Sequence, residues 1–413
     1  MASQRSAGLI GPGAVLLAAA LTLGAIALCW LSLSHAMAEA QADADPAAAL
    51  HWRAHNARAL AAASEQKLQS LDAGVAGATA FARAALRYGP LQSTPLRTLA
   101  LAAVRQKQEA AAQRFMAQAA LRTRRDPLAQ SWLLERAHAR GDYAQTIARA
   151  DAIMRLDGEM TTPLFVLIND IAGRPGGEAP VAAALAARPP WRAAYLRQLA
   201  AQPGGGARAW ALHRSLIARG AGPSDAEAQP LLARLVADGD YALAAHAWSA
   251  LLPRDQRAAA GRLYDGAFHG KPGVGPFNWE TTPRSDLVAE IAQAPDATPA
   301  LHVAFPAGGM AALAGQLLLL EPGTWRLSGR ARFEPLATRG VLAWNIWCIE
   351  GDKSMIAETR QSGDAAGWRT FETTFEVPPT DCRAQWLGLR SYAQDSFATV
   401  EAWYSGMKLE RGA

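Results

Sequence analysis

The chain has 413 residues, enough for two or three domains, and a formal net charge of +5. The charge is uneven, with +8 over residues 1–260 and −3 over residues 261–413. The basic part could attract anionic polysaccharide or lipid headgroups, or its arginines could simply solvate helical faces. The HExxH, GxSxG and P-loop signatures are absent, and the eight histidines are scattered. We therefore expect no enzyme activity, no cofactor and no bound metal.

A long apolar segment opens the chain. Residues 6–38 contain no Asp, Glu, Lys or Arg, and their apolar centre matches the roughly 20 residues that a helix needs to cross a bilayer. The flanking charges predict that residues 1–38 are a cytoplasmic stub and transmembrane anchor. The alternative is a cleaved signal peptide, because Ala36-Met37-Ala38 has the form of a cleavage site. Both interpretations export residues 39–413, which argues against nucleic acid as a partner.

The next segment predicts helices. Residues 39–50 are small and acidic and predict a linker or the frayed start of a helix. Residues 51–258 are rich in Ala, Leu, Arg and Gln, which favours helix. Two stretches of the latter are alike, ARGDYAQTIARADAIM (139–154) and ADGDYALAAHAWSALL (237–252). They resemble tetratricopeptide repeats (TPR), in which a Gly-Asp-Tyr region joins the two helices of a repeat. The resemblance implies an all-α, TPR-like helical solenoid.

The spacing of turn residues supports a repeat of about 33 residues. The two GDY glycines are 98 residues apart, close to three such units. Steps of 32–34 residues pass through Gly74, Gln108, Gly141, Gly173, Gly206 and Gly239. Stacked repeats of this kind leave a concave surface, which usually binds a protein segment. We therefore expect a protein partner on the helical-repeat surface, the alternative being a stack that serves only as a spacer.

After residue 258 the pattern becomes that of short antiparallel strands separated by turns. Residues 259–413 resemble carbohydrate-binding modules of the galactose-binding-like jelly-roll type. The resemblance is carried by LYDGAFHGKPGVGPFNWE (263–280), LEPGTWRLSGRARF (320–333), GWRTFETTFEVP (367–378) and AWYSGMKLE (402–410). It implies an all-β jelly-roll sandwich and a possible polysaccharide ligand. Asp265 and His269 depart from the pattern that often holds a structural calcium in this family, which leaves that site open.

Seven of the 13 tryptophans lie in this last part. Because strand side chains alternate faces, Trp325 and Trp344 fall with apolar neighbours and are predicted to be core. Other tryptophans fall on polar faces, and they could offer sugars a flat apolar surface beside hydrogen-bonding groups. If their strands are neighbours, a glycan-binding patch would comprise Asn345, Trp347, Trp386, Arg390, Glu401 and Trp403. The alternative is that the helical domain or a loop covers this face, so that these tryptophans are interdomain core.

Two cysteines, Cys348 and Cys382, form the only pair in the exported part, where disulfides persist. We expect a structural disulfide between them, the alternative being two unpaired buried thiols. The third, Cys29, lies inside the apolar segment.

These features predict a multidomain protein with a transmembrane helix, a TPR-like solenoid and a β-sandwich. We expect a single-pass protein of the bacterial inner membrane, with most of the chain in the periplasm. The leading hypothesis is a non-catalytic scaffold or adaptor in cell-surface polysaccharide assembly or export. Alternatives are a protein whose function is glycan binding itself, or, more weakly supported, a secreted glycan-active enzyme.

Overall fold

A computed structural model describes most of the chain, namely residues 12–69, 74–257, 262–282, 284–306, 309–334, 342–361, 367–393 and 399–412. The chain forms two compact units, Met1–Ala184 and Leu185–Ala413. The first is helical, and the second contains both helices and strands. The last helix ends at Arg257 and the first strand begins at Glu280, and the last helices belong to the same unit as the strands. The predicted boundary at residue 258 lies outside the described residues.

Helices account for the first part of the described chain. They are α1 (Pro12–Gln41), α2 (Pro46–Trp52), α3 (Ala57–Gln69), α4 (Gly74–Tyr88), α5 (Thr94–Arg105), α6 (Glu109–Arg122), α7 (Pro127–Ala139), α8 (Tyr143–Met154), α9 (Thr161–Gly173), α10 (Glu178–Ala186), α11 (Arg192–Ala201), α12 (Gly205–Ala218), α13 (Asp225–Ala237), α14 (Tyr241–Leu251) and α15 (Arg254–Arg257). Several starts are capped in the expected way. The carboxylates of Asp45, Asp126 and Asp142 each accept a backbone N–H three residues on, which satisfies an otherwise unpaired donor.

Successive helices pack as pairs, as the repeat spacing predicts. Helix α5 packs on α6 and α7 on α8 in the first unit, and α11 packs on α12 and α13 on α14 in the second. A residue with left-handed backbone lies in each of several turns between paired helices, namely Lys107, Gly141, Gly176, Gly204 and Gly239. In both GDY sequences the glycine makes this turn and the aspartate is the N-cap of the next helix. The helical pairs are thus confirmed, whereas a TPR solenoid stays a prediction.

Helix α1 is the candidate membrane span. Its segment Leu16–Gln41 is long and apolar enough to cross a bilayer, and the apolar side chains from Leu16 to Leu33 are exposed. From Ser34 onward the same helix packs into the first unit, where Ala38 and Ala42 are fully buried.

Of the two interpretations of residues 39–50, the structure agrees with a helix start and not with a linker. The segment contains the end of α1 and most of α2. The Asn56 side chain donates a hydrogen bond to Glu39 (2.8 Å), and Arg58 pairs with Asp43. The acidic residues of this segment form a helix cap, a hydrogen bond and an ion pair. The alanines Ala42 and Ala49 are fully buried, which lets the helices pack closely.

The second unit contains the strands β1 (Glu280–Thr281), β2 (Val288–Gln293), β3 (Pro299–Pro306), β4 (Gly309–Leu318), β5 (Gly323–Phe333), β6 (Leu342–Cys348), β7 (Met355–Gln361), β8 (Arg369–Val377), β9 (Gln385–Ala393) and β10 (Thr399–Arg411). They form two five-stranded sheets. The first sheet has the order β1-β4-β9-β6-β7 and the second β2-β3-β10-β5-β8, with antiparallel pairing throughout these orders. The prediction of an antiparallel sandwich is confirmed.

The core between the two sheets contains several large aromatic side chains. Trp325 of the second sheet and Trp344 of the first are completely buried, as strand parity predicts. Trp344 contacts Trp279 (centroids 5.7 Å apart) and Tyr404 (5.4 Å), both edge to face. Such pairs add about 0.5–1.5 kcal/mol each beyond the burial of area.

The predicted disulfide between Cys348 and Cys382 is present. It joins the end of β6 to the segment just before β9, with the two α-carbons 4.9 Å apart. The sequence separation is 34 residues, and closing a loop of this length stabilises the fold by roughly 3–4 kcal/mol in the loop-entropy model. Since β6 and β9 are already neighbours in the first sheet, the bond fixes their shared end.

Candidate functional site

The outer face of the first sheet gathers the aromatic and polar side chains of interest. Because the pairing register is known, its outward residues can be placed in rows that run across the strands. The central row is Glu280, Gly315, Gly388, Asn345 and Glu358, in strand order. One flanking row is Leu317, Trp386, Trp347 and Met355, and the other is Ala312, Arg390, Ala343 and Arg360.

Trp386 and Trp347 lie directly opposite each other on β9 and β6, and both are partly exposed. Each ring lies against a strand glycine of the central row. A β-carbon on Gly315 would overlap the Trp386 indole, and one on Gly388 would lie 2.8 Å from Cη2 of Trp347. Glycine within a strand often marks such a close approach. The two rings therefore cover adjacent strands and form a surface about two strand spacings wide, roughly 10 Å.

Arg390 and the buried side chain of Asn345 form the polar side of this surface. The guanidinium of Arg390 lies 4.5 Å from the centre of the Trp347 ring, within cation–π distance. Asn345 is buried, and its Nδ2 donates to Glu358 Oε2 (3.1 Å), while the Tyr392 hydroxyl donates to its Oδ1 (3.4 Å). Asn345 thus orients two neighbouring groups and does not itself face solvent, in contrast to the contact role expected from the sequence.

Two carboxyl groups end the central row, and their pKa values are shifted in opposite directions. The hydrogen bond from Arg360, aided by that from Asn345, lowers the pKa of Glu358 below its ordinary value. At the opposite edge, Glu280 keeps an exposed surface but its carboxyl group lies against Gly275, and partial burial raises its pKa. The two groups are four strand spacings apart, about 19 Å, since strands are 4.7–4.9 Å apart. Glycosidase carboxyl pairs lie within about 10 Å, so this pair does not have that geometry.

The six predicted site residues do not form one patch. Asn345, Trp347, Trp386 and Arg390 come together on the first sheet, but Glu401 and Trp403 lie on β10 of the second sheet. Strand parity identifies which face a residue occupies but not which sheet its strand joins. The predicted patch required all of these strands to be neighbours, and β10 does not meet that condition.

Trp403 is covered on its own sheet. The ring of His302 stacks on it at 3.9 Å, and it packs in a small outer cluster with Ala294, Ala300 and Trp368. His302 Nε2 lies 3.0 Å from Glu401 Oε1, so the glutamate is engaged as well. Only 7% of Trp403 is exposed, which leaves little surface for a ligand.

Helix α14 packs on the sandwich away from Trp347. Within the second unit, helix α14 contacts the sandwich through Trp248, whose ring lies 5.0 Å from Tyr264 and 5.6 Å from Phe277. At the other end of α14, Arg383 lies over the Tyr241 ring and pairs with Glu350. The described ring contacts of α14 with the sandwich therefore use other aromatics, and Trp347 and Trp386 keep partly exposed faces.

The loop that contains Asp265 and His269, where a structural calcium site was left open, is organised by hydrogen bonds to Asp265. The buried carboxylate of Asp265 accepts the backbone N–H groups of His269 and Lys271, both at 3.0 Å. Its backbone carbonyl accepts the indole N–H of Trp279 at 3.1 Å. Asp265 thus organises the loop that opens the sandwich. Among the described residues no group of three or more His, Cys, Asp or Glu side chains is arranged to hold a metal.

The sequence interpretation missed Gly315, Gly388, Glu358 and Tyr392. The two glycines could have been identified from the sequence, because a glycine inside an otherwise regular strand suggests that another group lies close to the backbone there. Nothing local identifies Glu358 and Tyr392, since their contacts with Asn345 depend on the pairing of β6 with both of its neighbours.

No family model and no curated protein matches the sequence. Solved structures of carbohydrate-binding modules match the C-terminal β region. One, described as a family 4 module, has 11% identity and a TM-score of 0.27 and covers 36% of this chain and 99% of its own. TmCBM61, in complex with β-1,4-galactotriose, has 14% identity and a TM-score of 0.27, covering 37% and 98%.

A third match is the C-terminal family 22 module of Clostridium thermocellum Xyn10B. It has 15% identity and a TM-score of 0.27, and it covers 37% of this chain and 94% of its own. Similarities as low as these do not identify a ligand for the present chain.

Proposed function

We propose that this chain is a membrane-anchored, saccharide-binding protein whose binding surface is the outer face of the first sheet. One observation carries the proposal. Trp347 and Trp386 lie side by side, partly exposed, with their rings held against strand glycines. The C–H faces of sugars need a flat apolar surface of this kind, and fixed polar groups beside it can bind the hydroxyls.

The polar groups at the edge of the rings suit hydroxyl binding. Arg390 is exposed and offers donors next to Trp347. Glu358 accepts hydrogen bonds, and its position is fixed because Arg360 and Asn345 both bind it. Arginine and glutamate thus flank the rings on one side, with donors and acceptors close together. We propose binding without catalysis, because the two carboxyl groups of the central row are about 19 Å apart.

A binding assay with the full chain tests this proposal. Wild-type protein in detergent should give signal on a glycan array or retardation in polysaccharide affinity gels, and Trp347→Ala and Trp386→Ala should lose it. The matched control is Trp368→Ala, which removes a partly exposed tryptophan that lies just before β8 of the second sheet. If no glycan binds, or if all three variants lose binding equally, the proposed surface is wrong.

We further propose that α1 is a retained anchor in the inner membrane, with the folded units in the periplasm. The packing supports this, because Ser34 and Ala38 are buried in the first unit and lie on the signal-peptide side of the potential cleavage point. Cleavage after Ala38 would remove both side chains. Membrane fractionation followed by N-terminal mass analysis tests the anchor. A soluble form beginning at Glu39 would contradict it.

The helical pairs support a second, scaffolding role in polysaccharide assembly or export. Leu121 and Leu128 of the first unit are exposed by 76% and 59% and are available for contact with a partner. Crosslinking in native membranes should recover components of polysaccharide assembly or export through the helical part. Loss of these crosslinks in Leu121→Glu, with saccharide binding unchanged, would separate this role from the first one.

A further inference from the structure

Helix α1 enters the first unit without any linker. Leu33 is 51% exposed, yet the next residue, Ser34, is only 5% exposed, and Ala38 is fully buried. The exposed apolar run from Leu16 to Leu33 is about 27 Å long at 1.5 Å per residue, close to the hydrocarbon thickness of roughly 30 Å. If α1 is the proposed anchor, on which this inference rests, the folded unit begins at the level of the lipid headgroups.

Aromatic side chains lie at this level. Trp30 is one helical turn before Ser34 and 59% exposed, and its ring centre is 6.1 Å from that of Trp52 at the end of α2. Trp52 is therefore placed within a few ångströms of the hydrocarbon boundary. Tryptophan and tyrosine are enriched at this boundary, because their rings are apolar and their tips are polar.

The aromatic surface continues along the turn that follows α2. His55 stacks on Tyr88, at the end of α4, with ring centres 4.5 Å apart. Tyr88 is 46% exposed, and Leu91, three residues on, is 76% exposed. Arg53 in the same turn is also exposed. We define the juxtamembrane patch as Trp30, Trp52, Arg53, His55, Tyr88 and Leu91.

We propose that the juxtamembrane patch seats the first unit on the surface of the bilayer that α1 crosses. A lipid surface suits the patch better than a protein partner does, because the anchor is continuous with it and already places headgroups beside Trp30 and Trp52. Each side chain has a natural place there. The rings lie among the headgroups, Arg53 attracts lipid phosphate, and Leu91 inserts beside the upper acyl chains.

Site-specific fluorescence of the full chain in lipid nanodiscs tests the proposal. A polarity-sensitive probe is attached at Leu91→Cys or at Leu121→Cys, each in a Cys29→Ser background. Leu91 and Leu121 are both 76% exposed, so they are matched apart from their position. With lipids that carry a nitroxide near the headgroup, the Leu91 probe should be quenched at least twofold more than the Leu121 probe and emit at shorter wavelength.

The native Cys29, which is exposed on α1, provides a separate reading of the anchor. A probe there should be quenched by a nitroxide on the acyl chain. Suppose the probe at Cys29 is quenched but the probe at Leu91→Cys is quenched no more than the probe at Leu121→Cys. The patch then faces solvent or a protein, which refutes its contact with the bilayer but leaves the anchor supported. If Cys29 is not quenched either, the anchor is wrong and the seating falls with it.

Discussion

Replacing Gly388 with alanine tests whether the two tryptophan rings act as one fixed binding surface. The added β-carbon would lie 2.8 Å from Cη2 of Trp347 and 3.2 Å from Cδ1 of Trp386, whereas carbon atoms in contact prefer about 3.5–4.0 Å. The rings must therefore shift by roughly 1 Å between them. We expect a stability cost of about 1–3 kcal/mol from overpacking. Saccharide affinity should fall by about tenfold or more, equivalent to ~1.4 kcal/mol.

The control is Gly329→Ala on β5 of the second sheet. Its β-carbon would lie 2.6 Å from Met407 Sδ and 2.8 Å from Phe371 Cζ, which is similar crowding away from the proposed surface. Urea denaturation should show comparable losses of stability, while calorimetric titration with a bound glycan should show weaker binding only for Gly388→Ala. If the two variants bound the glycan with equal affinity, the inference that Gly388 fixes the position of the two rings would be refuted.

Three further predictions concern stability. Replacing Cys348 and Cys382 with alanine should lower the free energy of unfolding by about 3–4 kcal/mol; a urea titration showing almost no change would contradict the stapling role. Trp325→Ala should cost about 3–5 kcal/mol because it leaves a core cavity, and Trp368→Ala should cost clearly less; equal costs would contradict the burial assignment. Because the pKa of Glu280 is raised, the folded chain binds this proton more tightly than the unfolded one, so stability falls as pH rises from its ordinary value of 4.5 through the folded pKa. Glu280→Gln should therefore be more stable than wild type at pH 7 and similar near pH 3 in thermal melts, and the reverse order would refute this assignment.

Several features of the fold follow from local sequence alone. Strand parity placed Trp325 and Trp344 in the core, because alternation is a property of any extended chain and needs no knowledge of its partners. The GDY sequences identified two helix-to-helix turns, since glycine permits the left-handed turn and aspartate caps the following helix. The disulfide was also predictable, because only two cysteines lie outside the apolar segment and they have one possible pairing.

The candidate site was predictable only in part. Trp347, Trp386 and Arg390 were identified by their outward parity, and β6 and β9 prove to be neighbours. Trp403 was included on the same basis, but its strand pairs with β3 and β5, in the other sheet. Parity depends on consecutive residues, whereas sheet membership depends on pairings between residues up to 103 positions apart, such as Tyr404 with Leu301.

Sequence alone thus indicated which side chains of several strands face inward, where two helix-to-helix turns lie, and which two cysteines could pair. Tertiary structure decided which outward tryptophans share a surface. Trp347 borders solvent because β9 lies beside β6 and places Gly388 beneath its ring, while α14 packs elsewhere through Trp248. Inward and outward are fixed by local backbone geometry. The neighbours of an outward residue are fixed by long-range strand and helix packing.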